Sequence, residues 1–420
     1  MQVGAGNAFI KFPTQMFPVE GFCGIHDDPR ISVLNIKAGQ QVVIISMELV
    51  MLWDDFCDRC RSTAAELLGA EPENVWLHVT HAITTPHAPG GPMIGLGGDA
   101  VKMTPEQEKK QQEDLSKRGL FEQVIMDSLI EACEEAAAIS EAKLFVGSGD
   151  IDLIQGRDIK TDEGWWIGIK GDGKSNETMT TLVFKNTEGE ILGTLLSYGM
   201  KPCVIDNSMM DKCERQISAD APGLAARILE DYTSAPVLYC TAAAGDRIPV
   251  KTAWYDEVGV DGKIKTVDLG VEAGLEFVNE IGTRLGEETK AIIDGVVEVV
   301  VDEVCHKAAS FSWPSKGRIP MHPYKELEFE TEGEKNVPVE VIKLGSVALV
   351  GGKPEINAAT ELSLQEKSSA ETTLYLSMIN GGMKYMPDEK AYDELRWEAL
   401  ASMLMRGAAE KFVELAVGLI

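Results

Sequence analysis

Apolar runs and helix-periodic stretches alternate along the first part of the chain in an order that predicts an α/β unit. Gln41 to Leu49, centred on Val42-Val43-Ile44-Ile45, reads as a buried strand. A helical pattern follows from Asp54 to Leu68 and stops at Gly69, and Val75 to Val79 is a second apolar run of strand length. Thr104-Pro105-Glu106-Gln107 supplies an N-cap, a proline at the first helical position and a capping-box glutamine. It opens a long helix toward Ala138 with Gly119 as a candidate break, and the charged half from Glu106 to Lys117 is expected to face solvent. Leu144-Phe145-Val146 predicts a strand, and Thr180 to Lys185 should pair with Ile191 to Tyr198 across Asn186-Thr187-Glu188-Gly189 as a hairpin. Helices are predicted at Ala221 to Tyr232 and Val271 to Ile293, with the short buried strand Val237-Leu238-Tyr239-Cys240 between them ending in the small-residue turn Ala242 to Gly245. Strands follow at Val297 to Val304, Leu327 to Glu330, Val339 to Leu344, Val347 to Val350 and Thr373 to Ser377, then a helical region from Asp388 onward. No linker and no internal repeat interrupts this order. It predicts one α/β domain over residues 1–420, a mixed β-sheet core flanked by helices.

Composition narrows the partners. The 420 residues are 44% hydrophobic, enough for a large core, and 39 Lys+Arg against 67 Asp+Glu give a formal charge of -28. Such a chain repels a phosphate backbone or an anionic membrane surface, so nucleic acid and membrane are not expected partners and a small-molecule substrate is. The N-terminal Met1-Gln2-Val3-Gly4-Ala5-Gly6-Asn7 lacks the pattern of a secretory signal, and no apolar run approaches the ~20 residues that span a bilayer, so a cytoplasmic location is expected. The eight cysteines are then read as reduced thiols. Cys57-Asp58-Arg59-Cys60 lies within a predicted helix rather than at its start, which favours a packing role over a redox or zinc motif. Self-association into a homo-oligomer is left open.

Two motifs carry candidate chemistry. Gly168-Ile169-Lys170-Gly171-Asp172-Gly173-Lys174-Ser175 matches the phosphate-loop pattern letter for letter, but Met179 to Phe184 reads as a strand where that chemistry needs a helix N-terminus, and Asp172 would put a carboxylate in the anion nest. The glycines from Gly90 to Gly98 form no dinucleotide fingerprint. The more informative stretch is Val79-Thr80-His81-Ala82-Ile83-Thr84-Thr85-Pro86-His87-Ala88-Pro89. His78, His81 and His87, half of the chain's six histidines, fall within ten residues directly after an apolar run. They are candidate metal ligands; the alternative is one buried hydrogen-bonding histidine and two solvated ones.

Taken in order, these segments resemble the catalytic domain of the neutral/alkaline ceramidases, zinc-dependent amide hydrolases. The resemblance covers nearly the whole chain: Gly24-Ile25-His26-Asp27-Asp28, Ser46-Met47-Glu48-Leu49, Thr80-His81 to His87-Ala88-Pro89, Ser197-Tyr198-Gly199-Met200-Lys201-Pro202, Ile217-Ser218-Ala219-Asp220-Ala221-Pro222-Gly223, Gly245-Asp246-Arg247-Ile248-Pro249, Lys353-Pro354-Glu355, and Asn380-Gly381-Gly382-Met383-Lys384-Tyr385-Met386-Pro387. It implies zinc as the cofactor, with His81 or His87, Glu355 and Tyr385 at ligand positions; the longer loop would let both histidines bind, giving His81, His87, Glu355 and Tyr385 as the ligands. Lys201 stands where the family has a ligand histidine, and Ile248 where it has a serine. Three outcomes follow for Lys201. It acts as a proton carrier or oxyanion partner beside a metal held by the four ligands, the favoured outcome; or its ammonium takes the cation position against Glu355; or it points away and water fills the gap. Asp220 and Asp246 are candidate proton carriers at strand ends, where catalytic groups collect in α/β folds, although aspartate also caps helices. Arg157 could clamp an anionic group, or pair structurally with Asp158 or Asp162. Trp166 and His26 complete the candidate substrate-binding residues, with one of Trp165 and Trp166 at most facing a pocket. The expected function is metal-dependent hydrolysis of a C–N bond in a small soluble amide or lactam-like substrate other than ceramide. A non-catalytic binding relative and a lysine-assisted isomerase or lyase are the alternatives.

Overall fold

The computed structural model describes residues 1–87, 105–171, 176–205, 215–259, 261–317 and 319–420. Its main sheet runs Val237–Thr241, Ile191–Tyr198, Thr178–Asn186, Ser140–Asp150, Gln2–Phe9, Arg30–Ala38, Gln40–Met47, Val75–Val79, with Val297–Val299 also on Ser140–Asp150; Gln2–Phe9 and Arg30–Ala38 are strands that the apolar runs do not predict. The centre is antiparallel and each end closes with a parallel pair: Gln40–Met47 with Val75–Val79, and Ile191–Tyr198 with Val237–Thr241. A second sheet orders Val304–Lys316, Thr331–Leu344, Val347–Gly351 and Thr372–Leu376, the last two parallel.

Each of these three parallel pairs is joined through a helix, because parallel neighbours need a crossover. Asp54–Leu68, Asp220–Thr233 and Ala358–Lys367 are the three crossovers. The first shows the local cause: Phe56, Cys57, Cys60, Ala64 and Ala65 recur at helical spacing and bury one face, and Gly69 ends the helix at φ 64°, a conformation glycine adopts without strain. The CxxC pair is therefore core, and Cys57 and Cys60 are free thiols. The helix Pro105–Ala136 runs through Gly119 unbroken. It lies so close to the first strand that a Cβ at Gly4 would stand 2.2 Å from the Ala136 carbonyl oxygen, which is why that strand lacks side chains where others carry valine.

Several expectations are corrected. Val297 to Val304 is not one strand: Val297–Val299 ends before exposed Val300, and Val304–Lys316 begins a separate strand in the other sheet. Leu327 to Glu330 is irregular, and Phe329 packs edge-on against Tyr392 instead of entering a ladder. The helical region from Asp388 onward is three helices, Glu389–Asp393, Trp397–Ala401 and Ala408–Leu419. Cys23 is disulfide-bonded, against the expectation that all eight cysteines are reduced. The phosphate-loop match lies between strands Gly164–Ile167 and Thr178–Asn186, so no helix follows it; its residues 172–175 are outside the described residues, as are Gly90 to Gly98, Ala88, Pro89 and Thr104. No helix among the described residues is long and apolar enough to cross a membrane.

Candidate active site

The carboxyl ends of the three parallel pairs point their connecting segments at one place. His81 follows Val75–Val79, Lys201 follows Ile191–Tyr198, Glu355 follows Val347–Gly351 and Tyr385 follows Thr372–Leu376. This is the end of an α/β sheet where ligands bind. Backbone pairing then fixes two of the four. The two-residue strands Glu355–Ile356 and Tyr385–Met386 run parallel with Glu355 opposite Tyr385.

Glu355 is the hub. Its Oε2 accepts a hydrogen bond from Lys201 Nζ at 3.1 Å, and its Oε1 lies 3.0 Å from His81 Nδ1. Lys201 Nζ also donates to the Tyr385 hydroxyl at 3.2 Å and lies 5.3 Å from the centroid of that ring. Lys201 and Glu355 are 2% exposed and the His81 side chain 21%, so His81 is the member open to solvent. The His81–Glu355 contact is close but out of line, and among the described residues neither His81 Nδ1 nor Glu355 Oε1 has a hydrogen-bond partner. Burial alone would protonate Glu355, but His81 and Lys201 overcome it and hold the carboxyl well below its ordinary range. Burial likewise opposes the charge of Lys201, but Glu355 and then Tyr385 offset it, so the lysine holds its proton more tightly than usual. For His81 burial wins, lowering its pKa and favouring a neutral ring.

Strained backbone surrounds this cluster. His81, Asp220 and Lys384 hold positive φ of 59°, 60° and 50° without being glycine. Each such position costs on the order of 1 kcal/mol or more and persists only where its surroundings enforce it.

A second buried layer backs the first. Arg157 Nε and Nη2 donate to Glu398 Oε1 at 2.9 and 2.8 Å, and its guanidinium lies 4.8 Å from the Trp397 ring centroid and 5.3 Å from that of Tyr385. Arg157 is thus an ion-paired residue, but its partner is Glu398; Asp158 pairs with Arg396 at 2.6 Å. Burial works against the charge of Arg157 and is outweighed by Tyr385, Glu398 and Asp158, which raise its pKa. Glu398 and Trp397 set the face Arg157 presents to Tyr385, and the sequence reading did not include them.

The remaining expected site residues are distributed unevenly. Asp220 accepts from the N–H groups of Val204 (3.0 Å), Ile205 (3.2 Å) and Ala221 (2.8 Å), which fastens the segment just after Lys201; burial pushes its carboxyl up to about 7 against those donors. Asp246 accepts from the Ala358 N–H at 2.9 Å through Oδ1, and its carbonyl accepts from the Arg157 N–H at 3.1 Å. Both aspartates are therefore engaged in holding backbone. His87 is half exposed and its Nδ1 is 3.1 Å from Glu20 Oε2, so the structure ties it to Glu20 rather than to Glu355. His26 is exposed and bonds to the Ile217 carbonyl through its backbone; Trp166 donates to Asp256 Oδ2 at 2.9 Å. Neither is brought to the cluster by these contacts. Ile248 is buried on the strand Arg247–Pro249.

The residues present can be tested against zinc. Among the described residues no group of three or more His, Cys, Asp or Glu side chains could hold a metal ion. His81, Glu355 and Tyr385 supply a nitrogen and oxygens of suitable chemistry, but Lys201 brings a cation with no lone pair to the same carboxylate. A divalent ion 4 Å from an ammonium would meet repulsion of about 8 kcal/mol at an effective dielectric of 20. The donor set as it stands does not fit zinc.

The fold is a ceramidase-like α/β architecture. Neutral ceramidase from Pseudomonas aeruginosa superposes with a TM-score of 0.71 at 17% identity, over 100% of this chain and 74% of that one. A ceramidase complexed with C2 gives 0.71 at 16% identity, over 99% and 74%. No protein-family model and no curated protein matches the sequence.

Proposed function

We propose that this chain is a hydrolase related to the ceramidases, cleaving the C–N bond of a small soluble amide or lactam-like substrate at the cluster of His81, Lys201, Glu355 and Tyr385. The observation that carries the reading is the meeting of His81 and Lys201 on one buried carboxylate, at the ligand-binding end of a fold shared with enzymes named as ceramidases. His81 turns Nδ1 toward Glu355 Oε1 at 3.0 Å, and a proton on Nδ1 leaves the Nε2 lone pair free to take another. In this scheme His81 takes a proton from water as the water oxygen bonds to the carbonyl carbon. The oxyanion forms beside Lys201, whose third N–H is not used by Glu355 or Tyr385. The C–N bond then breaks, and the proton on His81 goes to the departing nitrogen.

The test is a panel of chromogenic amides and lactams assayed with wild type, Lys201→Met and His81→Ala. Turnover that falls by roughly a hundredfold or more in each variant, with the fold intact, supports the reading. Turnover in wild type that survives both substitutions sinks it.

A further inference from the structure

We infer that the ammonium of Lys201 is the resident cation of this centre, so that the protein takes up no zinc between His81, Glu355 and Tyr385. The inference rests on the proposed centre but not on the reaction assigned to it. Lys201 Nζ is 3.1 Å from Glu355 Oε2 and 3.2 Å from the Tyr385 hydroxyl, and the residue is 2% exposed. One Glu355 oxygen and the Tyr385 hydroxyl are thus committed to a donor that cannot itself coordinate, and the remaining oxygen, Oε1, faces His81 Nδ1. The loop ahead supplies one imidazole rather than two, because His87 Nδ1 faces Glu20. Backbone hydrogen bonds fasten the segment just after the lysine: Ile83 N–H donates to the Pro202 carbonyl at 3.1 Å, and Asp220 accepts from the N–H groups of Val204 and Ile205. The side chain itself is held by its hydrogen bonds to Glu355 and Tyr385, which make Lys201 part of the built site.

Histidine at this position would change the donor count. Lys201→His replaces the ammonium with a neutral nitrogen ligand and gives His81, Glu355, Tyr385 and the new imidazole a four-donor set. The experiment is to equilibrate wild type, His81→Ala, Lys201→His and the His81→Ala/Lys201→His double variant with zinc, remove the excess, and measure metal content by elemental analysis. Wild type should carry no zinc that depends on His81, whereas Lys201→His should carry about one per chain, lost again in the double variant, with a zinc-dependent rise in its melting temperature. About one zinc in wild type that His81→Ala removes overturns the inference, and so does a folded Lys201→His that takes up none. Should Lys201→His fail to fold, the comparison of wild type with His81→Ala still decides the question. The two readings fail separately: silence across the amide panel leaves the metal result standing, and zinc in wild type leaves hydrolysis standing.

Discussion

The strand Val75–Val79 and the loop that leaves it carry histidines three residues apart, and the two could hardly be used more differently. His78 is wholly buried: its Nε2 accepts from the Thr241 N–H at 3.0 Å, so Nδ1 carries the proton and donates to the Ser377 carbonyl at 2.6 Å. Both nitrogens are spent on joining the edges of two sheets. His81 has left the ladder at φ 59°, is partly open to solvent, and faces Glu355 out of line. In the ladder His78 is satisfied on both nitrogens by backbone, as burial requires. At the carboxyl ends the ladder stops, and side chains from three crossovers meet with bonding capacity left over.

The largest test of that contrast is to remove the hub. Glu355→Ala leaves the Lys201 ammonium buried without its carboxylate, and should destabilise the fold by about 3–5 kcal/mol. Urea denaturation measures it. The double variant Lys201→Met/Glu355→Gln, which replaces the pair with uncharged side chains of similar size, should recover most of that loss, because a buried ion pair is costly mainly when half of it is removed. A double variant as unstable as Glu355→Ala would mean that the cluster holds the fold through contacts other than the pair.

The pH dependence separates the two histidines. Burial holds His78 at about 4, whereas an unfolded histidine titrates near 6.5. Between these values the unfolded chain binds the extra proton, so the contribution of His78 to stability is present above pH 6.5 and lost as the pH falls toward 4. Its full size is about 3 kcal/mol. Asp220 works in the opposite direction: its carboxyl is raised to about 7, so the folded chain binds more protons and stability falls as pH rises from about 4 to 7. The two partly cancel in wild type, so the quantity to read is the difference between wild type and His78→Gln. Denaturant titrations at pH 6.5 and 4 should show wild type losing about 3 kcal/mol more than the variant. An equal loss in both would mean that His78 is protonated without penalty. His81→Gln should remove a smaller part of the slope in the same direction, since its more exposed ring is better solvated when charged.

What could be read in advance follows the same division. Val75–Val79 and Asp54–Leu68 lie where apolar run and helical spacing put them, because a strand buried on both faces and a helix with one buried face write their periodicity directly into the sequence. Gln2–Phe9 was not legible, since its neighbour helix approaches the backbone and replaces side-chain alternation with Gly4 and Gly6. Lys201, Glu355, Tyr385 and His81 were legible as a set through the order of their segments. Which partners they would choose was not: the lysine's place against Glu355 is set by a contact 154 residues distant in the chain, and that of Arg157 against Glu398 by one 241 residues distant. His87 illustrates the limit from the other side. Its spacing suggested a ligand, and the carboxylate that holds it, Glu20, comes from a segment to which the loop pattern gives no pointer.

The smallest effects belong to the cysteines on the crossover helix, and they sharpen the comparison because they are chemically potent residues placed on the satisfied side of it. Cys57 and Cys60 face the core from Asp54–Leu68, and burial pushes the Cys57 thiol up to about 12 and Cys60 higher still. Nucleophilic attack and metal binding both need the thiolate, so at neutral pH neither residue is reactive. A thiol reagent followed by peptide mapping should leave both unlabelled in the native protein and label both after denaturation. Cys57→Ala should cost on the order of 1 kcal/mol through lost packing and change turnover less than about twofold. Labelling of either cysteine in the native state would show that the helix opens readily. The buried side of the first crossover would then be no more closed than the end that carries His81, and the contrast between them would fail.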